Sequence, residues 1–170
     1  MLATHDNHNT DYFMVNMVIQ IEMKEYKQTI PQFGITKHET DIKKVKIQGS
    51  QDAADYMRDF YFDDIEVFES FFLLLLNNAN NTIGYAKISQ GGITGTVVDI
   101  RIIAKYCVDS LATACILGHN HPSGKLQPSQ ADKTITSKIK RGLELLDVKV
   151  LDHIILTSLS YYSFADESQL

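Results

Sequence analysis

The sequence predicts an α/β fold in which a mixed β-sheet is flanked by helices. Short runs of apolar and β-branched residues, each as long as a strand, alternate with longer segments whose apolar residues recur at helical spacing. The chain has 170 residues, of which 44% are hydrophobic and 22% are charged. This length and composition suit a globular domain with a sizeable core.

The first part of the chain predicts one strand and a long connection. Residues 1–12 are polar, and residues 14–21 are rich in valine and isoleucine, as is typical of a strand. Residues 28–48 contain a proline, a glycine and scattered charges, which we interpret as an extended connection. We therefore divide the chain into an N-terminal strand and extended segment, residues 1–49, and a larger domain, residues 50–170.

A short helix and a hairpin are expected next. Ser50 stands where it could cap a helix that ends near residue 60. Residues 71–76 form an unbroken apolar run that ends in an asparagine-rich stretch, which predicts a strand buried on both faces and then a turn. Residues 82–89 alternate loosely and are expected to pair with this strand, and the glycine-rich stretch at 91–95 predicts a loop.

Two further helices and three strands complete the prediction. Asp99 is expected to cap a helix that runs to about residue 111. Residues 112–118 then predict a buried strand, residues 129–146 a long helix, and residues 148–157 and 161–164 the last two strands. Five residues form the predicted apolar face of the Asp99 helix: Ile102, Ile103, Tyr106, Cys107 and Leu111.

Charge and cysteine content narrow the classes of function. The formal net charge of −5 argues against a dedicated nucleic-acid-binding protein, whose binding face is strongly basic. Cys107 and Cys115 lie outside any metal-ligand spacing, so both are predicted to be buried, reduced thiols. A basic cluster is interpreted as a solvated helix face, with a phosphate-binding surface as the alternative: Lys125, Lys133, Lys138, Lys140 and Arg141.

The chain shows no signal for a membrane. The longest apolar run, residues 71–76, is far too short to span a bilayer. The N-terminus lacks a basic region followed by an apolar one, so no signal peptide is expected. We therefore expect a cytoplasmic protein.

Residues 119–132 contain a candidate metal site. His119 and His121 follow a predicted buried strand, and residues i and i+2 of an extended chain point to the same face. Asp132 lies in the first turn of the next predicted helix and could supply a third ligand. Two histidines and a carboxylate leave one position of a catalytic zinc ion open for water, and zinc lowers the pKa of that water to about 7.

Both parts of this pattern also have structural interpretations. A His-x-His pair by itself is only weak evidence for a metal site. The pattern Ser129-x-x-Asp132 resembles a helix capping box, which has a purely structural role. The two interpretations are compatible, because Ser129 can cap the helix while its hydroxyl faces the site. The combination at this spacing favours a metal site that binds Zn²⁺.

The same residues resemble a known family. His119-x-His121, seven residues, Ser129, two residues and Asp132 are similar to the signature of the JAMM (MPN-plus) metallopeptidases. The hexapeptide His-Asn-His-Pro-Ser-Gly at 119–124 resembles, more narrowly, the bacterial RadC-like branch, which carries a DNA-repair name by tradition. The similarity extends from about residue 50 to residue 164, and it implies an αβα sandwich related to the cytidine-deaminase fold.

The resemblance also implies the role of each site residue. His119, His121 and Asp132 would hold zinc, and Glu69, with Glu66 as a poorer second candidate, would be the general base. Ser129 would donate to the oxyanion that forms as water attacks an amide carbonyl. His153 is expected either to touch the site, as a fourth ligand or a neighbour of one, or to be a satisfied core histidine.

The implied activity is therefore hydrolysis of a peptide or isopeptide bond in a peptide or protein substrate. An accessory protein of DNA repair or recombination with a mainly structural metal is the alternative. The acidic charge and the lack of a recognisable helix-hairpin-helix module in residues 1–49 speak against DNA as a partner. A zinc nucleobase deaminase is disfavoured because the chain lacks His-x-Glu and Pro-Cys-x-x-Cys.

Overall fold

The computed structural model describes residues 36–61, 64–91 and 97–170. The strand predicted at 14–21 and most of the loop predicted at 91–95 lie outside these residues, and the division of the chain at residue 49 stays a prediction. The described residues form eight elements in this order: α1 (Ser50–Arg58), β1 (Ser70–Leu76), β2 (Thr82–Gln90), α2 (Ile100–Asp109), β3 (Ala114–Asn120), α3 (Gln130–Glu144), β4 (Lys149–Leu156) and β5 (Tyr161–Ser163).

The strands form one mixed sheet, as the sequence predicts. Their spatial order is β2-β1-β3-β4-β5. Strands β3 and β4 are parallel, and the other neighbouring pairs are antiparallel. The predicted hairpin of β1 and β2 is confirmed, and in it Leu74 pairs with Tyr85.

Helices cover both faces of this sheet. Strand β1 is buried along its whole length because its side chains alternate between two apolar layers. Phe72, Leu74 and Leu76 pack with the buried side chains of α1. Residues 71, 73 and 75 pack with buried side chains of α2 and α3 on the opposite face. The structure is therefore a three-layer α/β fold, as predicted.

A glycine allows α1 to pack closely against the middle of the sheet. A Cβ atom built on Gly118 would lie 2.4 Å from the terminal methyl of Met57, which belongs to α1. That distance is well below van der Waals contact. Because Gly118 has no side chain, α1 can pack closely against β3 at this position.

The start of α1 differs from the prediction. The N-cap is Gly49, it makes no side-chain cap hydrogen bond, and Ser50 is the first helical residue. The Ser50 hydroxyl donates instead to the carboxylate of Asp166, near the C-terminus of the chain. The prediction of Ser50 as the cap was wrong because this tertiary partner lies 116 positions away.

The apolar face of α2 is narrower than predicted. Asp99 does cap the helix, since its side chain accepts a hydrogen bond from the backbone N–H of Arg101. Ile103 and Cys107 are buried one helical turn apart. Ile102 is 43% exposed and Leu111 is 84% exposed, so their assignment to the buried face was wrong. Leu111 lies beyond the helix, which ends at Asp109.

Both cysteines are free and buried, as expected. No helix within the described ranges is long and apolar enough to cross a membrane.

Candidate metal centre

Strand β3 carries the two histidines to one face of the sheet. The strand extends to Asn120, two residues further than predicted, so His119 lies within it. His121 continues the extended path, and its N–H donates to the Leu156 carbonyl at 2.9 Å. Residues 119 and 121 therefore point to the same side, and their Nε2 atoms lie 3.0 Å apart.

Asp132 joins this pair from the first turn of α3. Its Oδ1 lies 3.4 Å from His119 Nε2, and its Oδ2 lies 3.7 Å from His121 Nε2. One ligand atom from each residue lies within 4.8 Å of the other two. Tetrahedral ligands at about 2.0–2.2 Å from zinc are separated by roughly 3.3 Å. The donor types and their spacing therefore fit a zinc ion.

The second ring nitrogen of each histidine is bonded to the protein. His121 Nδ1 lies 2.6 Å from the carbonyl oxygen of Lys125, so it donates to that oxygen. His119 Nδ1 lies 2.8 Å from His153 Nε2. Such bonds leave the Nε2 atoms to face the centre of the site and are common around metal-binding histidines.

Turn geometry brings Lys125 back to His121. Gly124 has a φ of +75°, which strongly favours glycine, and its N–H donates to the His121 carbonyl at 3.0 Å. The turn therefore places the Lys125 carbonyl against the histidine ring.

Burial and neighbouring charges shift the pKa values of His119, His121 and Asp132 in different ways. Complete burial lowers the pKa of His119 to about 4, so the ring is neutral near neutral pH. The nearby carboxylate of Asp132, whose Oδ2 lies 3.7 Å from His121 Nε2, is the main cause that raises the pKa of His121. Burial opposes ionisation of Asp132, but the nearby imidazole of His121, that of His119 when it is protonated, and the hydrogen bonds from Ser129 hold the pKa of the carboxyl well below its usual range.

Ser129 and Asp132 form the predicted capping box of α3. The Asp132 N–H donates to the Ser129 hydroxyl at 3.1 Å. The Ser129 N–H and hydroxyl both donate to Asp132 Oδ2 at 2.6 Å. Helix capping and the candidate site thus share these residues, and Oδ1 is the carboxylate oxygen turned toward His119.

Glu69 lies immediately before β1, beside the histidines. Phe71 pairs with His119 across the antiparallel strands β1 and β3. The negative charge of Glu69 contributes to the raised pKa of His121. Glu66 is exposed, and Glu69 is partly buried. The position of Glu69 therefore suits the predicted general base better than that of Glu66.

Asn120 holds the segment that carries Glu69. Because Asn120 lies between the two histidines in the strand, its side chain points to the opposite face. Its Oδ1 accepts from the Ser70 N–H at 2.8 Å, and its Nδ2 donates to the carbonyls of Ile65 and Phe68 at 2.5 and 2.8 Å. No prediction from the sequence assigned Asn120 this function, although an asparagine next to a predicted buried strand was a usable signal.

His153 does touch the site. It is fully buried on β4, stacked on Phe164, and bonded to His119 through Nε2 and to Thr136 through Nδ1. Both ring nitrogens are thereby engaged with protein groups, which does not fit a fourth metal ligand. The expected alternatives are therefore both partly right, since His153 is a satisfied core histidine and also a direct neighbour of His119.

Four members of the basic cluster lie on α3, and Lys125 precedes the helix. Lys133, Lys138 and Arg141 line an open groove of about 880 Å³, together with Ile100 from the start of α2. Lys138 is close enough to Asp99 to contribute to the lowered pKa of that carboxyl, which falls to about 2 mainly through the hydrogen bond with Arg101.

Residues 47–170 match the RadC-like JAB domain family. The chain belongs to this family. The RadC match covers α1 through β5 and includes every candidate site residue.

Several curated RadC relatives carry the name UPF0758 protein. One from Flavobacterium johnsoniae is 49% identical over 137 residues, which make up 80% of this chain and 59% of the relative. One from Chlorobaculum parvum is 39% identical over 125 residues, 74% of this chain and 55% of the relative. UPF0758 protein YfjY from Escherichia coli K12 is 43% identical over 102 residues, 60% of this chain and 64% of the relative. The matched part of the chain thus spans about three fifths of the length of these relatives.

Proposed function

We propose that this RadC protein is a zinc-dependent hydrolase of the JAMM class that cleaves a peptide or isopeptide bond. One observation carries the proposal: the ligand atoms of His119, His121 and Asp132 converge within 4.8 Å. Membership of the JAB family supports it. When bound there, zinc would supply the Lewis acidity that lowers the pKa of a water molecule and polarises a carbonyl group.

Glu69 is the proposed general base. It would accept a proton from the attacking water and later transfer a proton to the leaving nitrogen. The negative charge of Glu69 contributes to the raised pKa of His121, which supports a position of Glu69 close to the candidate metal ligands. The hydrogen bonds of Asn120 to residues 65, 68 and 70 support its orientation, because they hold the backbone on both sides of Glu69.

Ser129 is the proposed donor to the oxyanion. Its hydroxyl now donates to Asp132 Oδ2, and its backbone N–H donates to the same oxygen. The hydroxyl can therefore turn toward substrate while Asp132 keeps one hydrogen bond from Ser129. A single oxyanion donor of this kind contributes roughly 3–4 kcal/mol to transition-state stabilisation.

The number of ligands favours catalysis over a purely structural metal. Structural zinc sites are normally closed by four protein ligands. The group found among the described residues has three, and both ring nitrogens of the neighbouring His153 are bonded to His119 and Thr136. Three protein ligands would leave the fourth position of a tetrahedral zinc ion open for water.

Metal content and turnover test the proposal together. Purified wild-type protein should contain about one zinc per chain, and His119→Ala and Asp132→Ala should each lose it. His38→Ala is the matched control, because His38 is an exposed histidine remote in sequence from the site. Glu69→Gln should retain zinc but lose cleavage of a peptide and isopeptide substrate library. Equal zinc content in wild type and both ligand variants would refute the proposed site.

The groove on α3 favours a second candidate function, an accessory role on DNA. Its three cations, Lys133, Lys138 and Arg141, could contact phosphates, although the groove also includes Glu144. A duplex mobility-shift titration at 50 and 200 mM salt would test this, since each neutralised phosphate makes affinity depend more steeply on salt. Binding that is absent at both salt concentrations would leave only the hydrolase.

A further inference from the structure

We infer that His153 and Thr136 are positioning residues that set the tautomer of His119, so that its Nε2 atom presents a lone pair to the metal. The claim that this tautomer serves metal binding rests on the proposed function, whereas the claim about the tautomer itself does not. Three elements contribute: His119 lies in β3, His153 in β4 and Thr136 in α3.

The three side chains form a continuous series of short hydrogen bonds. His119 Nδ1 lies 2.8 Å from His153 Nε2, and His153 Nδ1 lies 2.6 Å from Thr136 Oγ1. The Thr136 hydroxyl donates to the backbone carbonyl of Asp132 at 2.6 Å. The series therefore begins at one candidate ligand and ends on the backbone of another.

The chemistry of the last acceptor determines the direction of every bond. A carbonyl oxygen can only accept, so the hydroxyl hydrogen of Thr136 points to Asp132. The hydroxyl oxygen must then accept from His153, which places the imidazole hydrogen of His153 on Nδ1. The unprotonated Nε2 of a neutral His153 accepts in turn from His119 Nδ1–H. His119 is left with a lone pair on Nε2, which is the form that binds a metal.

Burial prevents water from replacing any of these hydrogen-bond partners. His153 is 0% exposed, and its ring lies between Phe164, stacked at 4.9 Å, and Phe71, at 5.4 Å between ring centroids. Thr136 is also buried, at 2% exposure. Solvent therefore cannot supply the missing partner if one side chain is removed. His121 depends on the Lys125 carbonyl instead, so the series acts on only one of the two imidazoles.

Two matched pairs of variants test the inference by zinc titration. His153→Phe keeps an aromatic ring between Phe164 and Phe71 but removes both ring nitrogens, whereas His153→Gln keeps a polar group that can accept from His119. We expect the zinc dissociation constant to rise about 10–100-fold in His153→Phe and to recover partly in His153→Gln. Thr136→Val should weaken zinc binding in the same direction, and Thr136→Ser should restore it.

Nitrogen-15 correlation spectra of the imidazoles supply the decisive readout on metal-free protein. In wild type, His119 and His153 should both carry the hydrogen on Nδ1. In Thr136→Val, which is nearly isosteric and should fold, the Nε2–H form should appear at His153 and then at His119. A wild-type His119 with its hydrogen on Nε2, or a Thr136→Val protein with unchanged tautomers and a zinc dissociation constant within twofold of wild type, would overturn the inference.

The two proposals fail in different ways. If wild type binds no zinc, the metal site is wrong, and the metal-free spectra still decide whether the tautomer is set as described. If zinc binds but the tautomer is the opposite one, only the role of His153 and Thr136 is wrong.

Discussion

Substitution of Asn120 by alanine should destabilise the protein and loosen the segment that carries Glu69. The substitution removes three hydrogen bonds, from the Ser70 N–H to Oδ1 and from Nδ2 to the carbonyls of Ile65 and Phe68. Asn120 is 0% exposed and Ser70 is 0% exposed, so water has poor access to the first of these partners. The other two bonds are only partly buried.

The size of the effect follows from these differences in burial. A buried donor without a partner costs about 1–3 kcal/mol, which applies to the Ser70 N–H. The two carbonyls can regain water, so their bonds contribute nearer 0.5 kcal/mol each, the low end for a net hydrogen bond. We expect Asn120→Ala to lower the free energy of unfolding by about 2–4 kcal/mol. A domain with roughly 5–15 kcal/mol of stability would still fold.

Urea unfolding and amide hydrogen exchange measure the two consequences. The Ser70 amide should exchange much faster in Asn120→Ala than in wild type, because it has lost its acceptor. Asn77→Ala is the matched control, since Asn77 Oδ1 accepts from Ala79 and Asn81 in an exposed or partly buried turn and should cost no more than about 1 kcal/mol. An Asn120→Ala protein as stable as Asn77→Ala, with a protected Ser70 amide, would refute the reasoning.

Three other predictions concern the ionisable and catalytic groups. Acidification of metal-free protein from pH 7 to 4.5 should lower its free energy of unfolding, because burial holds the pKa of His119 at about 4 and that of His153 well below the ordinary 6.5. In this pH range the unfolded chain binds protons that the folded chain does not bind. The raised pKa of His121 offsets only part of the resulting loss of stability. A urea midpoint that stays constant between pH 7 and 4.5 would contradict this prediction. Glu69→Gln should leave the zinc dissociation constant within threefold of wild type but reduce cleavage at least 100-fold, and equal reduction by Glu66→Gln would argue against Glu69 as the base. Ser129→Ala should cost about 1 kcal/mol of stability through the lost cap, measured by urea unfolding, and should reduce turnover more than substrate affinity in steady-state kinetics.

Much of the fold was predictable because it depends on local patterns. The apolar run of β1, the Asp99 cap of α2 and the capping box of α3 each produce their structure from residues close together in sequence. One error arose where a distant partner intervened. Ser50 bonds to Asp166 instead of capping α1, and no pattern near residue 50 signals that contact.

The sequence by itself determined the candidate metal group, because His119, His121 and Asp132 lie within fourteen residues. Their convergence needs only the two-residue period of a strand and the first turn of the following helix. Tertiary structure alone decided which groups support those ligands. The parallel register pairs Leu117 with His153, which makes His153 a diagonal neighbour of His119 on the same face of the sheet. The antiparallel pairing of β1 with β3 likewise brings Glu69 and its backbone to Asn120, about fifty positions later in the chain. Such contacts depend on how strands pair, and strand pairing depends on the packing of the whole sheet between its helices.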